Sequence, residues 1–244
     1  MSPAKATPGA RVNDPGTGGV SARRIKAVHR RLRKLQGPFE AKPQLPVIDE
    51  LVGTLLSQHT SDINTARAFA GLKSRFPIWE HVRDAPTEEV ADAIRAGGLA
   101  DQKAPRIKAI LTEIELREGA IDLSRLNGLP DQEVDDYLCS LPGVGPKTAA
   151  CVLVFSMGRN AFPIDTHVHR VARRLGWIDD RMTAEAAGRE LGPSVPAELR
   201  YSLHMALIDH GRKTCKARNP RCTQCVLFDL CDAGPRLLAA GEAI

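Results

Sequence analysis

Three groups of residues have types and spacings that can do chemistry. Lys147 follows a turn holding Gly143 and Gly145 in LPGVGPKTAA, residues 141–150. The stretch lies between two helical patterns, EVDDYLCS and KTAACVLVFSM. The first N–H groups of a helix have no intrahelical acceptor, and the helix dipole is positive at that end. Such a start binds anions. The turn therefore reads as a phosphate grip that presents a lysine amine beside it, with Pro146 suited to the first helical position. Eighteen residues on, Asp165 precedes another helical pattern in FPIDTHVHRVARRLG. A carboxylate at a helix N-terminus is held ionised by the dipole and the N–H donors, the state needed to face a developing cation. The third group is Cys215, Cys222, Cys225 and Cys231, spaced C-x6-C-x2-C-x5-C. Four thiolates in that compass hold zinc or an iron–sulfur cluster. Zinc sites usually pair two short knuckles, and only one is present here. Cys139 and Cys151 sit in apolar helical surroundings and read as inert core residues.

The elements that must position these groups are helical. From Ser21 to Gln36, Ile25, Val28, Leu32 and Leu35 recur at helical spacing, opposite a basic face of Arg23, Arg24, Lys26, Arg30, Arg31, Arg33 and Lys34. That density of charge favours contact with phosphate. Residues 45–75 read as two helices joined at Gln58-His59-Thr60, with Ser61 or Asp62 as cap. Further helices are predicted at about Thr87–Ala96 and Asp101–Arg117, the second with Asp101 as N-cap and Pro105 near its first turn. No period-two run of β-branched residues stands out, so the chain reads as all-α with short Gly/Pro connections.

Composition bounds the partner. The 244 residues carry a net charge of +5 and a pI near 9.0, suited to a polyanion. Aromatic residues make up 4%, which argues against an aromatic stacking platform for bases. The longest apolar run, Ala149–Phe155, is too short to span a bilayer. The first twenty residues have no apolar segment of a secretory signal and read as a disordered tail. The expected address is the cell interior, where a disulfide framework is disfavoured.

The strings LPGVGPKTA and IDTH resemble the helix–hairpin–helix signature of the endonuclease III family of DNA glycosylases, over about residues 23–234. The resemblance implies a six-helix barrel domain over residues 40–159. It also implies a discontinuous iron–sulfur cluster domain made of residues 23–39 and 160–244, behind a disordered tail of residues 1–22. Lys147 would be the nucleophile and Asp165 the catalytic aspartate. The cysteine spacing matches the family's loop for a [4Fe–4S] cluster, which makes the cluster the favoured reading of the four cysteines. The hairpin Gly143-Val144-Gly145 and His167 would touch DNA. The string LLSQHTSD is similar to the family segment whose polar residue fills the gap left by an extruded base; here that residue is His59, beside Gln58. GGLADQKA is similar to the loop whose leucine, here Leu99, is a second wedge. Three positions depart from the pattern: His59 stands where many members have glutamine, Ala100 replaces an aromatic residue, and Pro146 replaces a basic one.

The implied activity is that of a bifunctional DNA glycosylase and AP lyase on oxidised pyrimidines. The implied partner is double-stranded DNA with damaged bases or abasic sites, bound by a cytoplasmic, nucleoid-associated monomer. Two other readings are a thymine-mismatch glycosylase, because the wedge region is altered, and a non-catalytic DNA-binding module. The position matching the glutamate of adenine-mismatch enzymes is Thr54.

Overall fold

Two helices carry apolar residues on nearly every face, and such helices must be buried all round. The computed structural model, which describes residues 20–39, 45–159 and 161–244, places both at the centre of the larger of two cores. They are α2 (Val47–Leu56), with seven residues buried, and α8 (Pro146–Phe155), with six. They pack against each other, and α3 (Asp62–Arg75) joins α2. Around them α4 (Trp79–Asp84), α5 (Thr87–Ile94), α6 (Ala100–Glu118) and α7 (Asp131–Cys139) close this core. Among the described residues there is no strand.

A second core joins residues from both ends of the chain. α1 (Ala22–Gln36) contributes Ile25, Val28 and Leu32, and packs on α11 (Arg200–Lys213). α9 (Thr166–Arg174) packs on α11 as well, and α10 (Ala184–Leu191) completes the group. A short α12 (Gly234–Ala239) follows the cysteine-rich loop. The expected tail lies outside the described residues up to residue 19; Ser21 already caps α1 by accepting from Arg24 N.

The basic face of α1 is partly structural. Arg24 donates to Leu175 O, Leu230 O and Asp232, and Arg31 to Val226 O and Asp229. These two arginines fasten α1 to the cysteine-rich loop and are taken from the expected phosphate-facing set. Arg23, Arg30, Arg33 and Lys34 remain exposed.

The start of α6 also differs from the sequence reading. Leu99, not Asp101, is the N-cap: its carbonyl accepts from Gln102 N and Lys103 N at 3.0 and 2.9 Å. Asp101 sits inside the first turn, where it still complements the dipole, and Pro105 lies in the second. The helix predicted to reach Ala96 ends at Ile94 and tightens into a 3-10 turn over Arg95–Gly97.

The packing of α3 on α5 requires a glycine. A Cβ on Gly71 would stand 2.7 Å from Ala93 O, a backbone atom of α5 that cannot swing aside. Gly71→Ala should therefore lower the unfolding free energy by roughly 1–2 kcal/mol, overpacking outweighing the better helix propensity of alanine. Urea melts with an unchanged slope would check it.

Candidate active site and iron–sulfur loop

The turn between α7 and α8 is held by its apolar residues. Leu141 and Val144 are buried in the larger core, and Val144 N donates to Leu141 O at 3.1 Å. The side chain of Val144 thus faces the core and its N–H is already paired within the turn. Gly143 has φ +71°, in the left-handed region, as the tight turn requires. Gly145 does not use that freedom; its φ is −107°, and it serves as N-cap of α8. A Cβ built on Gly145 meets nothing within 4 Å, so the ground in front of the helix start is open. Pro146 takes the first helical position and the half-buried Lys147 the next.

Asp165 is the N-cap of α9, its Oδ1 accepting from Val168 N at 2.7 Å. The charges of Lys147 and Asp165 act on the same two buried groups. Cys151, one turn after Lys147 and hydrogen-bonded to it, feels both charges and that of Glu50; burial pushes its thiol up to about 11. His204 of α11 also feels both charges. It is 2% exposed, Nδ1 lies 3.0 Å from Pro163 O, and Phe155 and Phe162 flank its ring. A carbonyl only accepts, so Nδ1 carries the proton. Burial drives this imidazole down to about 4 and keeps it neutral.

The two wedge candidates share a backbone signature. Among the described residues, the non-glycine residues with positive φ are His59 (56°), Leu99 (51°) and Asn219 (49°). Left-handed backbone at such residues costs about 1–3 kcal/mol and concentrates at functional sites. His59 is exposed, and Leu99 is 45% exposed despite its apolar side chain. Gln58 accepts from Arg106 Nη1 at 3.4 Å, and the Arg106 side chain lies over Gly143. Arg106 thereby touches both the hairpin and the His59 segment. Sequence reading missed it, because an arginine mid-way along an ordinary amphipathic helix carries no motif.

His167 is half-buried, with Nδ1 3.0 Å from Arg170 Nη2 and its Cβ against Gly211. Arg212, one residue further on in α11, pairs with Asp62 at 2.9 and 3.2 Å and so joins α11 to α3.

The four cysteines of the loop line one cavity together with Val171, Leu175, Leu227, Phe228 and His210. Among the described residues no three His, Cys, Asp or Glu side chains converge on a single metal position. The thiols surround the cavity instead, as ligands of a polynuclear cluster do. Donors already point at sulfur: Arg174 Nη1 lies 3.3 Å from Cys215 Sγ, and Leu227 N lies 3.4 Å from Cys225 Sγ. Anionic cluster sulfur favours such donors, so these residues fit an iron–sulfur group. Arg174 also binds Lys216 O and Ala217 O, and Arg170 binds Cys215 O and Gly211 O. Lys213, Lys216, Arg218 and Arg221 are exposed around it.

Comparison with known proteins agrees with this arrangement. Residues 52–196 match the HhH-GPD superfamily of base excision DNA repair proteins, and residues 215–231 match the iron–sulfur binding domain of endonuclease III. The chain is 34% identical to endonuclease III of Thermotoga maritima over 182 residues, covering 75% of this chain and 81% of that one. It is 43% identical over 166 residues to an Arabidopsis thaliana protein that bears a DNA glycosylase name; the match covers 68% of this chain and 57% of that relative's length. A trapped covalent endonuclease III–DNA intermediate superposes with a TM-score of 0.74 at 26% identity, covering 90% of this chain and 99% of that one. The chain belongs to the HhH-GPD superfamily of base excision DNA repair proteins, in its endonuclease III type, and its cofactor is a [4Fe–4S] cluster. Among the described residues no helix is long and apolar enough to cross a membrane.

Neutral His204 has a consequence for pH. Its folded value near 4 lies below the ordinary 6.5, so the unfolded chain binds the extra proton between those values. Stability that is full above pH 6.5 should fall as the pH drops toward 4, by up to about 3 kcal/mol from this one group. Unfolding free energies of the wild type and His204→Asn across that window would check it: the wild type should have the steeper slope.

Proposed function

We propose that this protein is a bifunctional DNA glycosylase and AP lyase that removes oxidised pyrimidines from duplex DNA, acting as a monomer in the cell interior. The observation that carries this reading is an amine at an open helix start, within electrostatic reach of the same buried groups as a helix-capping carboxylate. The two hydrophobic cores support a division into a barrel domain over residues 40–159 and a cluster domain formed by residues 23–39 and 160–244.

In the proposed reaction the hairpin backbone at Gly143 and Gly145 holds a phosphate. His59 and Leu99 enter the stack, Gln58 and His167 make neighbouring contacts, and the damaged nucleotide is rotated out. Breaking the N-glycosidic bond builds positive charge on the sugar, which Asp165 offsets. Only a neutral amine is a nucleophile, so Lys147 attacks once its proton is given up, and Asp165 would receive that proton. The neutral Nζ attacks C1′, and the base leaves with its bonding pair and takes up a proton. Ring opening gives a Schiff base, loss of a C2′ proton expels the 3′ phosphate, and hydrolysis frees Lys147. Cys215, Cys222, Cys225 and Cys231 would hold the cluster, which supplies a covalent tie across residues 215–231. The loop would then present Lys216, Arg218 and Arg221 to the backbone of DNA.

Borohydride trapping tests this directly. Wild-type protein should form a covalent adduct on duplexes bearing thymine glycol or an abasic site, and Lys147→Gln should form none. An adduct on the abasic duplex alone would keep the lyase and move the glycosylase substrate to a mismatch such as G·T. No adduct on either, from protein that binds DNA and holds its cluster, would leave a binding module. Gly145→Ala separates grip from fold: with open space around Gly145 it should cost about 1 kcal/mol of stability or less. Its duplex affinity should nonetheless fall on the order of tenfold in filter or anisotropy titrations, because the methyl group occupies the phosphate's approach.

A further inference from the structure

Lys103 lies in the first turn of α6 and is 4% exposed. A buried ammonium group is costly unless paired, and the positive end of a helix is an unfavourable place for one. Burial pushes its pKa down accordingly. Its Nζ is satisfied by two backbone carbonyls, Leu56 O at 2.8 Å and Gly97 O at 2.9 Å. Leu56 is the last residue of α2, and Gly97 closes the 3-10 turn after α5. Both carbonyls therefore stand at helix ends, where the backbone is partly negative.

The residues just downstream of each carbonyl give the pairing its meaning. His59 comes three residues after Leu56, and Leu99 two residues after Gly97, both in the left-handed conformation. A Cβ on Gly97 would stand 3.0 Å from Ala68 Cβ of α3 and 3.8 Å from Leu56 O, so Gly97 packs closely on α3 and lies within van der Waals range of the end of α2. Two strained residues on separate elements thus hang from one buried cation.

We propose that Lys103 is a positioning residue that locks the His59 and Leu99 segments to each other, so that both side chains enter the duplex as one rigid unit. This rests on the reading that these two residues open the duplex. Lys103 itself touches neither DNA nor the reacting atoms. Without its ammonium the two carbonyls are left facing each other with no donor, and each segment is free to relax its left-handed residue independently. Loss of such placement costs on the order of ten- to a hundredfold in a step that depends on it.

The test compares wild-type holoenzyme with Lys103→Met, and with Lys103→Gln, which keeps one donor group, should the methionine variant not fold. Cluster absorbance and a thermal melt establish folding. Each protein is bound at saturation to a duplex carrying 2-aminopurine opposite a tetrahydrofuran abasic analogue, where fluorescence rises as the base unstacks. Single-turnover trapping is then run on abasic sites in duplex and in single-stranded DNA, the second needing no wedge. The expected result is a 2-aminopurine rise at least halved in the variant. The ratio of duplex to single-strand trapping rate should fall about tenfold or more, and adding Leu99→Ala should lower it little further. A full 2-aminopurine rise in a folded variant, or equal loss on the two substrates, overturns the proposal. Wild-type protein that unstacks the base yet traps on neither substrate would instead refute the lysine chemistry and leave the Lys103 comparison readable from fluorescence alone.

Discussion

A single hydrogen bond, from Val168 N to Asp165 Oδ1 at 2.7 Å, organises the parts of this protein that the proposed chemistry needs. It starts α9, and in doing so fixes a carboxylate beside the buried groups that Lys147 also reaches. The same helix grips the cysteine-rich loop further on, through Arg170 and Arg174. One rigid element therefore ties the proposed reaction centre to the proposed cluster. A helix transmits position well because its backbone bonds are internal, so a cap at one end and two guanidinium grips toward the other leave little freedom between them.

The remaining polar contacts serve the same purpose at other joins. Arg24 and Arg31 fasten the first helix to the last loop, and Arg212 with Asp62 joins α11 to α3. His204, neutral because buried, holds the carbonyl two residues before Asp165. Each is a side chain spent on a backbone or carboxylate partner far away in sequence. In a chain rich in arginine, counting basic residues thus overstates what is left for phosphate. Some of the positive charge is internal structure.

The proposed opening of the duplex depends on strain held in place. His59 and Leu99 occupy backbone conformations that ordinary side chains avoid, and both are exposed where a core would not need them. Such residues persist only when their surroundings over-determine them. Here the surroundings include the ends of α2 and of the 3-10 turn after α5, joined through Lys103.

The sequence by itself determined the helical class, the hairpin with Pro146 at the first helical position, a cap at Ser61 or Asp62, of which the structure uses Ser61, and a carboxylate, Asp165, at the start of α9. These are local properties: apolar period, a short polar residue before a helix, a glycine where a turn needs positive φ. The cysteine spacing was legible for the same reason, since all four ligands lie within one short loop. The tertiary structure decided the rest. It showed that Gly145 is extended, that Leu99 rather than Asp101 begins α6, and that Arg24 and Arg31 face inward. It also brought Arg106, Lys103, Cys151 and His204 to the site. Arg106, Lys103 and His204 act on partners tens of residues away, and the neutral state of His204 comes from burial by several helices at once. Neither separation in space nor desolvation is written in the spacing of neighbouring residues.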